Sequence, residues 1–257
     1  MLAVIILLFA VAFARLSIWR SRPKSRLFTL ALFSLGASYT LSLAMLGDRR
    51  IDPALAGCVG ENVSDLVHTL LLVAACYLFG LIFVRVLSEK HFRLVWTCYY
   101  IVTSTGLVVT SRFGDAVKLP VDDEFELQDP WTGVYLWTFL LFLAATCLLI
   151  FVGTAKVWRR ARRTNRRVYI GLVASGAVGV VYAMFAGVWL VLDPTVMAEH
   201  HGIIITVAAV PILGGLAFAG LYGVAASWLA GRVAEPSPQA LPEGVPDPPE
   251  SRGQAGG

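Results

Sequence analysis

Asp65 and His68 lie three residues apart, and Ser64 lies four before His68, within ENVSDLVHTLLLVAACYLFG at 61–80. On a helix all three would share one face. An imidazole beside a carboxylate can trade a proton or, with further ligands, hold zinc. A second such group follows at Glu199, His200 and His201. Asp65, His68, His200 and His201 are therefore the candidate metal or proton site, provided that two distant segments meet. A plainer role fits the same residues. Asp65 suits a helix N-terminus, where a carboxylate meets the positive end of the dipole, and His68 suits a hydrogen bond to a neighbouring helix. No phosphate-binding loop, nucleophile elbow or zinc-protease motif occurs, so no catalytic residue is singled out and no cofactor is expected.

The elements that must position these side chains are legible from composition. The chain has 257 residues, of which 57% are hydrophobic and 15% charged. A soluble domain carries about 25% charged residues. The apolar residues come in runs long enough, at about 1.5 Å per residue, to cross a hydrocarbon layer about 30 Å thick. Alternation of the kind that builds membrane β-barrels is absent. The expected fold is all-α: a polytopic seven-helix membrane bundle over 1–231, with spans at 2–18, 27–46, 66–87, 94–111, 131–153, 168–190 and 203–229. Residues 232–257 hold six of the twelve prolines and few large apolar residues, which predicts a disordered tail.

Charge orients the spans. Arg20, Arg22, Lys24 and Arg26 lie between the first and second, and Arg85, Lys90 and Arg93 between the third and fourth. Lys156, Arg159, Arg160, Arg162, Arg163, Arg166 and Arg167 lie between the fifth and sixth. The alternate loops are acidic: 112–130 holds Asp115, Asp122, Asp123, Glu124, Glu126 and Asp129. Basic loops stay in the cytoplasm. The expectation is a cell-membrane protein with its N-terminus outside and its C-terminus, with the tail, in the cytoplasm. MLAVIILLFA lacks a positive leader, so the first span reads as an anchor rather than a signal peptide. Six of the seven tryptophans fall near predicted span ends, at headgroup level. The Arg159–Arg167 cluster sets orientation and can also hold anionic lipid headgroups; its placement explains the basic balance without nucleic acid.

Small residues recur every four positions in the sixth span, at Gly171, Ser175, Gly179, Ala183 and Gly187, and again in the seventh at Gly215, Ala219 and Gly223. Such strips allow close helix approach within lipid. They serve packing inside one bundle or a homodimer. Pro211 lies inside the seventh span and is expected to bend it.

Asn62, Asp65, Leu66 and His68 at the head of the third span, with Arg166, Arg167, Gly171, Gly176 and Tyr182 in the sixth, carry a resemblance. The chain resembles a family of actinobacterial integral membrane proteins described as transporters, usually with a C-terminal cytosolic domain of unknown function. The proline-rich tail at 232–257 is expected to stand where that domain would follow. The resemblance implies a transporter-like role, for which Asp65, His68, Thr103, Ser104, Thr105, Ser175 and Tyr182 are the polar residues available to an interior path. A sensor that reads an external signal for a cytosolic partner is the alternative. A zinc-dependent membrane hydrolase is a third reading. Ser64 and His68 are similar in spacing to part of its ligand set, but its last helix needs spaced histidines, and His200 and His201 are adjacent.

Overall fold

A computed structural model describes residues 2–20, 25–42, 51–54, 62–87, 90–115, 129–158 and 166–233. Among them lie seven long helices: α1 (Leu2–Leu16), α2 (Arg26–Leu41), α3 (Val63–Leu87), α4 (Lys90–Phe113), α5 (Pro130–Trp158), α6 (Arg166–Leu192) and α7 (Pro194–Val233). Five of them, α3 to α7, contain segments long and apolar enough to cross a membrane. The apolar helix α1 is shorter, at 15 residues, and α2 has 16. Arg232 and Val233 of the expected tail close α7, and 234–257, with Arg159, Arg160, Arg162 and Arg163, lie outside the described residues.

Three helices begin on an aspartate. At α5, Asp129 accepts from the Trp131 and Thr132 N–H groups at 2.9 and 3.0 Å and from the Thr132 hydroxyl. The Asp115 N–H, just beyond α4, reaches the same carboxylate at 3.4 Å. At α7, Asp193 accepts from the Thr195 N–H at 3.1 Å and its hydroxyl at 2.5 Å. Each aspartate is followed by proline, whose missing N–H costs nothing in a first turn. The third, Asp52, comes from a helical turn at 51–54 and reaches α3 from a distance in sequence. It accepts from the Ser64 N–H at 2.7 Å and the Ser64 hydroxyl at 2.6 Å. Asn62, just before α3, has φ of 54°, a left-handed conformation that asparagine tolerates.

The Asp193–Pro194 start corrects one expectation. The expected last span begins at 203, just after His200 and His201. The cap starts α7 at Pro194, so both are helical.

Neighbouring helices close a circuit: α1 touches α2, α2 touches α3, α3 touches α5, α5 touches α6, α6 touches α7, and α7 returns to α1. Helix α4 packs on α3 and α5 and turns Leu94, Val95, Ile101 and Val102 outward. Leu8, Leu32, Phe79, Phe83, Leu213 and Leu216 belong to the buried core where the circuit meets. Trp96 departs from the expected headgroup belt. Only 4% exposed, it stacks on Phe142 at 5.1 Å and donates to the Tyr77 carbonyl at 3.1 Å. Gly80 leaves room for its ring. A buried indole with its N–H satisfied stabilises the α3–α4–α5 junction instead of anchoring a surface.

The small-residue strip of α6 serves two neighbours in turn. Gly171 faces Gly215 of α7, and Ser175 lies 3.0 Å from the Ile212 carbonyl on α7. Gly179 meets Cys147 of α5 and Ile212 of α7, and Gly187 meets Trp137 of α5. Each four-residue step overshoots a full helical turn by about 40°, so the strip sweeps about 160° between Gly171 and Gly187. Gly176 lies against the α5 backbone: a Cβ there would stand 2.8 Å from the Cys147 carbonyl and the Phe151 nitrogen. On α7, Gly220 accommodates Val11, Phe28 and Leu32, Gly223 accommodates Arg15, and Ala219 is buried.

Candidate functional site

His68 stands in the second turn of α3 and faces the end of α2. Its Nδ1 lies 2.8 Å from the Ser38 carbonyl and 2.9 Å from the Ser38 hydroxyl. That hydroxyl donates in turn to the His68 carbonyl at 2.9 Å. The Ser38 carbonyl can only accept, so Nδ1 carries a proton and donates to it. Tyr39 meets the imidazole edge-on at 5.8 Å. Ser38 is fully buried. One turn nearer the helix start, Asp52 and Ser64 are 5% and 1% exposed, so their two hydrogen bonds sit in a dry setting.

Polar groups continue inward from His68. Tyr39 lies within electrostatic reach of Tyr182 and Cys76. Cys76 lies near the Thr146 side chain, whose hydroxyl donates to the Phe142 carbonyl at 2.9 Å, and Cys147 is within reach of Cys76. The distance along α3 from His68 to Cys76 is about 12 Å. Four helices thus contribute: α2 with Ser38 and Tyr39, α3 with His68 and Cys76, α5 with Thr146 and Cys147, and α6 with Tyr182. Tyr39, Cys76, Thr146, Cys147 and Tyr182 are all buried. Of the polar residues named from sequence, His68 and Tyr182 belong to this group. Ser175 sits instead at the α6–α7 contact, and Thr103, Ser104 and Thr105 sit on α4.

The imidazoles of His68 and His200 have separate partners. His200 is exposed, with Nδ1 3.2 Å from the Val196 carbonyl of its own helix. Asp65 lies half-buried in the first turn of α3, and His201 follows His200 in α7. Among the described residues no group of three or more His, Cys, Asp or Glu side chains could hold a metal ion. Arg166 is exposed at the start of α6, with Arg167 next in the same helix.

Sequence reasoning passed over Ser38, Tyr39, Asp52 and Arg15. Arg15 carries a signal in retrospect: Ile5, Leu8, Ala12 and Arg15 follow helical spacing, and all four are buried. Ser38 and Asp52 have no such signal, since their partners lie 30 and 12 residues away.

Among the described residues outside the spans, Asp129 has surroundings that shift its titration. Burial pushes its carboxyl up. The hydroxyl and N–H of Thr132 and the N–H groups of Asp115 and Trp131 outweigh that and hold it below the usual carboxylate range.

Apolar helices around a dry core, with apolar side chains turned outward on α4 to α7, define a helical membrane protein. No protein-family profile, curated protein or solved structure matches the chain.

Proposed function

We propose that the chain crosses the cell membrane seven times, N-terminus outside, and that it is transporter-like, with its path starting at His68. The observation that carries this reading is the run of polar side chains contributed by four helices, from Ser38 and His68 through Tyr39 and Tyr182 to Cys76 and Thr146. Buried polar groups are costly among hydrocarbon and occur where they line a route or a site. In the loop-charge orientation His68 lies near the outer end, and the inner part of the circuit is filled by Phe79, Phe83 and Leu216. That distribution also favours the second reading, a sensor whose site opens outward only.

Cys76 separates them. In a variant carrying Cys58→Ser, Cys98→Ser and Cys147→Ser, Cys76 is the remaining thiol. Reconstituted in oriented vesicles, a transporter exposes it to a charged, membrane-impermeant thiol reagent from either side. A sensor exposes it from the outside alone. A thiol unreactive from both sides overturns both readings of this interior.

A further inference from the structure

Arg15 is a charge that the interior path does not use. It lies one residue before the end of α1 and is 6% exposed. Its Nη1 donates to the Gly220 carbonyl of α7 at 3.0 Å, and its Nε lies 3.4 Å from the Thr29 hydroxyl of α2. The guanidinium carbon stands 4.6 Å over the Phe28 ring. Gly223 makes space for it: a Cβ there would stand 2.9 Å from Nη1. All of these partners are uncharged. A guanidinium keeps its proton and offers five N–H donors, of which these contacts engage two.

The same end of the α1–α2 pair carries more cations and a tryptophan. Arg20 and Arg26 are exposed, and Arg26 donates to the Trp19 carbonyl at 3.2 Å while lying 5.6 Å over its ring. Tryptophan at a helix end settles at headgroup depth, where lipid phosphates lie. A fork of N–H donors just below that depth matches phosphate oxygens.

We propose that Arg15 anchors a phosphate at the corner of α1, α2 and α7, and that this phosphate belongs to a membrane lipid with a net negative headgroup. The inference rests on membrane embedding and not on whether the interior conducts.

The test uses the full chain in nanodiscs of phosphatidylcholine, with and without phosphatidylglycerol, read as Tm. Bound lipid raises Tm by about 3–6 °C for each tenfold rise in lipid concentration above the dissociation constant. The wild type is expected to gain this shift, Arg15→Gln to lose it, and Arg15→Lys to keep part of it. Arg85→Gln, at an exposed arginine in the last turn of α3, keeps it in full. Equal shifts in the wild type and Arg15→Gln overturn the proposal. The same shift from inorganic phosphate in phosphatidylcholine discs overturns lipid as the source. Should Arg15→Gln fail to fold, native mass spectrometry of the purified wild type decides. Retained phosphatidylglycerol supports the site, and its loss overturns it.

Discussion

Ser38 and His68 clasp each other across α2 and α3, each using both its side chain and its carbonyl. The Ser38 hydroxyl donates to the His68 carbonyl, and the His68 Nδ1–H points at the Ser38 carbonyl. Removing one partner strands the other in a dry setting. Ser38→Ala and His68→Ala should each cost about 1–3 kcal/mol. The double variant should cost less than their sum, with a coupling of about 0.5–3 kcal/mol. Denaturation in detergent measures all four proteins, and strict additivity would mean that the clasp contributes nothing.

The cap on α5 gives a pH dependence with a defined sign. Asp129 titrates lower in the folded protein than in the unfolded chain. Its contribution is therefore present above the unfolded value, near pH 4, and is lost as pH falls through the folded value. Asp129→Ala should lower stability by about 1 kcal/mol at neutral pH. It should also remove that part of the acid-side decline. An unchanged acid profile in the variant sinks the assignment.

Glycines of α5, α6 and α7 should respond in opposite ways to the same change. Gly176→Ala drives a methyl into the α5 backbone and should cost about 1–3 kcal/mol. Gly133→Ala and Gly214→Ala meet nothing within 4 Å and should be neutral or stabilising by up to about 1 kcal/mol. Comparable losses at all three positions would refute the close α5–α6 approach.

Asp52 should matter although it lies outside the long helices. Asp52→Ala leaves the Ser64 hydroxyl and N–H without their acceptor in a buried setting, at a cost of about 1–3 kcal/mol. Amide hydrogen exchange should speed up in the first turn of α3 and stay unchanged in α7. Uniform acceleration through the bundle would argue against a local cap.

Topology has its own measurement. Short tags at the two termini should label from opposite sides of intact cells, the N-terminal one from outside. Labelling of both from one side breaks the seven-span reading, with α1 or α2 the first suspect, since these two are the shortest of the helices.

Much of this architecture is one-dimensional information. Helices sit where apolar runs approach the thickness of a bilayer, and the expected span start at 131 falls next to Pro130, whereas the last helix starts at Pro194 and not at 203. The Gly171–Gly187 spacing likewise announces close packing on α6. None of this needs knowledge of which helix lies beside which.

The rest depends on helix order and rotation around the circuit, and only the tertiary structure decides those. It pairs His68 with Ser38 rather than with His200, and it turns Trp96 onto Phe142 instead of toward a headgroup. It sends Arg15 to a carbonyl 205 residues away. The physical reason is that hydropathy along a chain is nearly blind to azimuth. Lipid-facing and core-facing positions are both apolar in a membrane helix, so the contrast that reveals the buried face of a soluble helix is missing.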